Sequence, residues 1–447
     1  MTARTDWTGR VLRVRVGGPA HGGEFVARHE GRVVFCRGGL TGELVDVEVD
    51  DDPGRAFCRG TVREVVEASP DRVPPSCPAA AAGAGCCDWS HVAPPAARGF
   101  AGRVLAEQAH RIGRFDPAPG GDAVAVEVPA GDGAATGWRT VARWVTGPDG
   151  RPGVRRPRSR ALVTEPCAQP DPRLTEAVLA ADLGPGREVL GVLGDDDEVH
   201  VATRRDVDLT ARPASRRGRR AAAARARARH SRAEPWRVVA GTGAVLRTVG
   251  GRAWDLPVDA FWQAHRSAAR HYSAVVRDAV AEVVGPGGDP AVWDLYGGAG
   301  LFAAASLDAV PGARVTLVES SAASLGAAGA ALGAGARVRT VGARVEAFLA
   351  DGHADAGGPD VVVLDPPRGG AGVEVMSALA AAGARRIVHV GCDPASLARD
   401  VGVLVAAGWR LVDLRGVAAF PGTHHVEGLA VLDAPTTDGG VWRENVD

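Results

Sequence analysis

The chain has 447 residues, 60 of them Gly and 30 Pro, with 45% hydrophobic residues, 23% charged residues and a formal net charge of −1. An ordinary apolar fraction without a collagen period excludes fibre and wholesale disorder, and the length allows two or three domains. No run of 18 apolar residues occurs and the N-terminal MTARTDWTGR lacks an apolar signal core, so the reading is a cytoplasmic protein with no membrane span.

The charge sum hides an asymmetry. Residues 251–447 hold 15 Arg against 22 acidic residues, whereas residues 1–250 hold 37 against 31. All 52 cations are Arg, and Asn445 is the single asparagine. Such a bias can replace motif letters without replacing their chemistry.

In chain order, the segment Val11–Glu67 alternates short β-branched runs with Gly-rich turns, which predicts a small antiparallel barrel over residues 1–68. Barrels of this kind bind oligonucleotides or serve as dimerisation modules. A Pro-, Ala- and Gly-rich central segment, 69–250, carries Cys77, Cys86, Cys87 and Cys167. Cys36 and Cys58 fall in the barrel and read as packing residues. Between Arg204 and Arg232 lie eleven Arg, a tract that is either a solvated face or a phosphate-contacting one.

From 251 to 447 strands alternate with Ala-rich helices, the pattern of a doubly wound parallel sheet. The predicted strands are 291–295, 314–318, 360–364 and 386–390, followed by two longer strands, WRLVDLRGVAAF and HHVEGLAVLD, joined by a tight connection. Ligands of such sheets bind at the carboxyl ends of the strands. There stand Asp294-Leu-Tyr296-Gly-Gly-Ala-Gly300, then Glu319, placed to accept from ribose hydroxyls, then Asp365-Pro-Pro-Arg368, then Gly391-Cys392-Asp393-Pro394. The helix start after Cys392 is expected to lower its pKa. Glu427 lies in an apolar strand, where a carboxylate is costly unless paired or used. Upstream, Gln263 and His265 precede a helix leading into the sheet.

These phrases, WDLYGGAGLF, DPPRGG, HVGCDPASLARD, HHVEGLAVL and DAFWQAH, resemble those of the iron–sulfur-containing uracil-C5 RNA methyltransferases, which make 5-methyluridine in tRNA and rRNA. The match in order and spacing runs through about the last 190 residues, and the barrel looks like that family's RNA-binding TRAM domain. The resemblance implies an α/β, Rossmann-like S-adenosylmethionine methyltransferase domain (251–447), an OB-like TRAM barrel and a small central domain. It implies Cys392 as the nucleophile toward uracil C6 and Glu427 as the base that removes the C5 proton. Gln263, Tyr296, Glu319 and Asp365 match cofactor-contacting positions, and Cys77, Cys87 and Cys167 the ligands of a [4Fe-4S] cluster, with Cys86 substituting for the middle ligand, whose position Ala84 occupies. A zinc site or unliganded thiols are the alternatives for those four. The implied partner is RNA, either rRNA or tRNA, and the implied state a monomer.

The chain departs from the family where Ser-Cys-Asn-Pro reads Gly391-Cys392-Asp393-Pro394, where Gln-x-Asn reads Gln263-Ala-His265, and where Cys86 and Cys87 are adjacent. Competing readings are an amino-group methyltransferase using Asp365-Pro-Pro, a cytosine-C5 RNA methyltransferase, and a non-catalytic RNA-binding homologue. The first needs an aromatic residue where Arg368 stands.

Overall fold

A computed structural model describes residues 6–118, 121–157, 159–206, 234–284, 288–333, 335, 337–351 and 358–435. Nearly all of the arginine tract, from residue 207 on, lies outside the described residues. The chain divides into two compact units, Met1–Ala97 with Pro129–Ala269 and Ala419–His424, and Arg98–Val128 with Arg270–Ala418 and His425–Asp447. No helix among the described residues is long and apolar enough to cross a membrane.

In the first unit, β1 (Val11–Pro19), β2 (Phe25–His29), β3 (Arg32–Arg37), β4 (Leu44–Asp51) and β5 (Phe57–Glu67) form a closed barrel in the order β1-β2-β3-β5-β4. Alternation places Leu12, Val14 and Val16 of β1 and Val45, Val47 and Val49 of β4 inside, as a period of two requires. Closure removes the exposed edges that a five-stranded sheet would otherwise present. Cys36 and Cys58 are fully buried in this barrel.

The rest of that unit holds a six-stranded antiparallel sheet from β7 (Val141–Thr146), β8 (Pro152–Arg155), β9 (Leu162–Val163), β10 (Arg187–Leu193), β11 (Val199–Arg205) and β12 (Arg237–Ala240). Leu174 and Val178 of helix Pro172–Ala180 pack on its Trp144, Val189 and Val201. A hairpin of β13 (Ala244–Val249) and β14 (Arg252–Pro257) follows.

The second unit is built on β6 (Val126–Glu127), β15 (Ala291–Leu295), β16 (Arg314–Glu319), β17 (Val338–Gly342), β18 (Val361–Leu364), β19 (Arg386–Gly391), β20 (Arg410–Val417) and β21 (Glu427–Asp433). Their order is β17-β16-β15-β18-β19-β21-β20-β6. The strands from β17 to β19 are parallel, and β21 runs antiparallel between β19 and β20. The order reverses between β15 and β18, the switch point where such sheets open a crevice.

Two sequence readings differ from this arrangement. Compactness follows sheet pairing rather than the divisions at 68 and 250: β6 pairs with β20, Val126 beside Gly416, so a stretch of the central segment belongs to the second unit. The two last strands are not tightly joined either, since residues 418–426 separate them and Ala419–His424 belong to the first unit.

Candidate functional site

The turn after β15 is shaped by its glycines. Tyr296, Gly298 and Gly300 all have positive φ, at 59°, 53° and 83°. A Cβ on Gly297 would lie 2.8 Å from Leu317 and 2.9 Å from Asp294 Oδ2, so only glycine fits there. Asp294 is fully buried, and its Oδ2 accepts from the Ala303 N–H at 2.8 Å in the first turn of helix Leu301–Ala309. Its Oδ1 has no hydrogen-bond partner among the described residues. Burial, with Asp365 and Glu319 nearby, pushes its carboxyl up to about 7 against the opposing Ala303 bond.

Glu319, at the end of β16, leans over this turn. It accepts from the backbone N–H of Gly298 at 3.2 Å and of Ser321 at 2.7 Å. The glycine turn, the half-buried Tyr296 and the carboxylate of Glu319 form one end of the crevice. A positive φ at Tyr296 is a strained choice for a side chain that must stand there. The open backbone, an unpaired buried carboxylate oxygen and an acceptor at the strand end fit a small polar ligand with hydroxyl and amino donors.

The other end is set by strand register. Gly391 pairs with Gly428, so Cys392 just beyond β19 lies across from Glu427 at the start of β21. Leu364 pairs with His389 on the other side of β19, which brings Asp365 to the same end of the sheet. Glu427 is only 5% exposed and sits on an interior strand rather than an edge. Burial and then Asp365 push its carboxyl up to about 8, with Arg368 opposing. Tyr272, fully buried on helix Ala268–Val284, has a hydroxyl with no partner among the described residues; burial and the charges of Glu427, Asp365 and Cys392 raise its pKa. Sequence reading passed over Tyr272, which no motif marks.

The Cys392 thiol is not lowered as expected. Burial, Glu427 and Asp365 push it up to about 12, with Arg368 again opposing. The helix start gives little help, because Asp393 Oδ1 already accepts the N–H groups of Ala395 and Ser396, at 3.1 and 2.9 Å. Asp393 thus caps the helix at the position where the family phrase has asparagine, a residue type that caps equally well. Arg368, to which sequence reading gave no electrostatic part, is a cation that offsets the two carboxylates.

The loop after Asp365 is pinned from below. Buried Asp400 accepts from the N–H groups of Ala371 and Gly372 at 2.7 and 3.2 Å and pairs with Arg399 at 2.6 Å and His389 at 3.4 Å. Burial pushes its carboxyl up, but the hydrogen bonds from His389 and Arg399 prevail and hold it below the usual range.

Gln263 belongs to the first unit, in the segment after β14. His265 beside it is buried, stacked on Trp138 with ring centroids 5.5 Å apart, its Nδ1 accepting from the Ser267 N–H at 3.1 Å. In the same unit the sulfurs of Cys77, Cys86, Cys87 and Cys167 gather within 4.8 Å of one another, a set able to hold a metal. Cys77 opens helix Pro78–Ala81, and Cys167 follows β9.

Residues 7–62 match the TRAM domain family. Uncharacterized RNA methyltransferases of Corynebacterium glutamicum and Corynebacterium efficiens are 39% and 40% identical, each over 95% of this chain and over 97% and 95% of their own. One of Streptomyces coelicolor is 35% identical over 95% of this chain and 93% of its own. The structure of Pyrococcus abyssi tRNA (uracil-54, C5)-methyltransferase in complex with S-adenosyl-L-homocysteine superposes with a TM-score of 0.63 at 19% identity, covering 94% of this chain and 99% of that one. The fold is that of an S-adenosylmethionine methyltransferase carrying an N-terminal TRAM barrel. The chain belongs to the TRAM-domain RNA methyltransferase family, the one its motifs resemble.

Proposed function

We propose that the protein methylates C5 of a uridine in rRNA or tRNA, taking the methyl group from S-adenosylmethionine. The observation that carries this reading is the register that puts Cys392 beside the buried Glu427, with Asp365 at the next strand end. A thiol and a carboxyl at neighbouring strand ends suit a ring that must be attacked at one carbon and deprotonated at the next. The named substrate and bound product of the Pyrococcus relative agree with it.

Uracil C5 is too weak a nucleophile to take a methyl group unaided. The Cys392 thiolate adds to C6, and the C5–C6 π pair moves toward C5 and O4 as an enolate. S-adenosylmethionine supplies the electrophilic methyl and a positive charge, which opposes the burial and the carboxylates that together hold the thiol up. C5 forms its new carbon–carbon bond as the sulfonium bond breaks. Glu427 then takes the C5 proton, the double bond re-forms and the sulfur–C6 bond breaks, returning the thiolate. Tyr296 and Glu319 contact the methyl donor, Asp365 contacts it while holding the uracil edge, and for Gln263 the donor-contacting role is the one that the resemblance implies. The base must leave its stack to be reached.

The barrel over 1–68 and the central segment, with its arginines, hold the RNA, and the second unit performs the chemistry. The iron–sulfur cluster of the resemblance would fall on the four gathered cysteines; no step above passes through it. The protein acts as a cytoplasmic monomer. Incubation with 5-fluorouridine RNA and S-adenosylmethionine should give a covalent protein–RNA adduct, because fluorine at C5 cannot leave as a proton. Its absence in wild type, or its persistence in Cys392→Ala, overturns the reading.

A further inference from the structure

The sulfurs of Cys77, Cys86, Cys87 and Cys167 all lie within 4.8 Å of one another, and those of Cys87 and Cys167 are 3.8 Å apart. A single tetrahedral ion with metal–sulfur bonds of about 2.3 Å sets its thiolates about 3.8 Å apart along every edge. A four-iron cubane gives each thiolate an iron at a separate corner, which spreads the sulfurs to roughly 6 Å. A disulfide would draw two of them to about 2 Å, and all four are free. With one pair at 3.8 Å and every pair inside 4.8 Å, the spread is closer to that of ligands on one ion than to that of a cubane.

The surroundings agree. Adjacent residues have Cα atoms only about 3.8 Å apart, so Cys86 and Cys87 converge on one centre more readily than on two separate corners. The Ala168 N–H donates to Cys77 Sγ at 3.4 Å, a bond that favours the thiolate and orients it. Ala79, Ala84 and Val163 pack around the group, in which Cys77 and Cys87 are buried and Cys86 and Cys167 partly so. With four thiolates and no open position, the centre has the form of a structural site.

We propose that these four cysteines hold one tetrahedral zinc ion in place of the four-iron cluster that the resemblance implies. The ion ties the 77–87 loop to Cys167, 80 residues beyond Cys87.

The test is elemental analysis and absorption of the full-length protein purified without oxygen. The expected result is one zinc per chain, no acid-labile sulfide and no band near 400 nm. Exchange with Co²⁺ should give the intense visible ligand-field bands of a tetrahedral thiolate site, and Cys86→Ser and Cys87→Ser should each lose most of the zinc. Four irons with four sulfides, a single iron, or a metal-free protein overturns the proposal. Because metal content and spectra are read on wild type, the outcome does not depend on whether the variants fold. It is also independent of the adduct experiment.

Discussion

Gly391 and Gly428 face each other in the antiparallel pairing of β19 with β21, and the residues on their outer sides, Cys392 and Glu427, inherit their proximity from that pair. Neither glycine brings a side chain into the junction. Cys392 and Glu427 stand 35 positions apart in sequence, with helix Pro394–Ala406 and β20 between them, and the pairing of β19 with β21 closes that gap.

Glu427 should govern the pH dependence. Its carboxyl, near 8 rather than the ordinary 4.5, keeps its proton in the folded state over that interval. The folded state then binds more protons than the unfolded one, so this group's contribution to stability is fully present below about 4.5 and is lost as pH rises through 8. Denaturation midpoints between pH 6 and 9 should fall more steeply for wild type than for Glu427→Gln. For the proposed reaction, kcat should rise with pH and level off near 8, because Glu427 acts after the methyl group has been transferred, and Glu427→Gln should turn over slowly at every pH. The same variant should accumulate the adduct with ordinary RNA. A wild-type profile flat from about pH 6 to 9 contradicts this assignment.

Asp393 should be replaceable by asparagine but not by alanine. It caps helix Pro394–Ala406 through its side-chain oxygen. Asn caps as well as Asp, whereas Ala leaves the N–H groups of the first turn unpaired at a cost of about 1 kcal/mol. Urea unfolding of Asp393→Asn and Asp393→Ala separates the two. Equal losses would show that the negative charge, not the cap, is what matters.

Two helical glycines should respond to alanine with opposite signs. Gly402 in helix Pro394–Ala406 is pressed against Gly113, where an added Cβ would lie 2.8 Å from its Cα and closer still to its carbonyl oxygen. Backbone cannot yield as a side chain can, so Gly402→Ala should destabilise by about 1–3 kcal/mol despite alanine's better helix propensity. Gly329 in helix Ala322–Leu332 has nothing within 4 Å of its would-be Cβ. Gly329→Ala should stabilise by about 0.5–1 kcal/mol. Thermal unfolding of the pair reads both.

The four buried strands β15, β16, β18 and β19 were legible because β-branched runs ending in a charged or glycine-rich turn have few alternatives. The strands missed in that sheet were β17, which alternates with Arg and Thr at the sheet edge, and β6, two residues long and defined only by the partner it meets; β7 to β14 of the first unit were not read as strands either. Cys392 and Glu427 could be picked out as chemically unusual, but the raised thiol could not. It depends first on burial and then on Glu427 and Asp365, which reach the same end of the sheet from distant parts of the sequence. The gathering of Cys77, Cys86 and Cys87 with Cys167 followed from resemblance alone, since the spacing within the loop is irregular.

The path of the chain has a consequence for synthesis. Trp89 donates its backbone N–H to the Gly422 carbonyl, and Asp88 accepts from the His424 N–H and meets its ring, so six residues near the C-terminus complete the unit that begins at the N-terminus. The first unit to leave the ribosome is therefore among the last to be finished. Neither half can be cut out of the gene as one piece, and a nonsense codon a few dozen residues from the end would damage both.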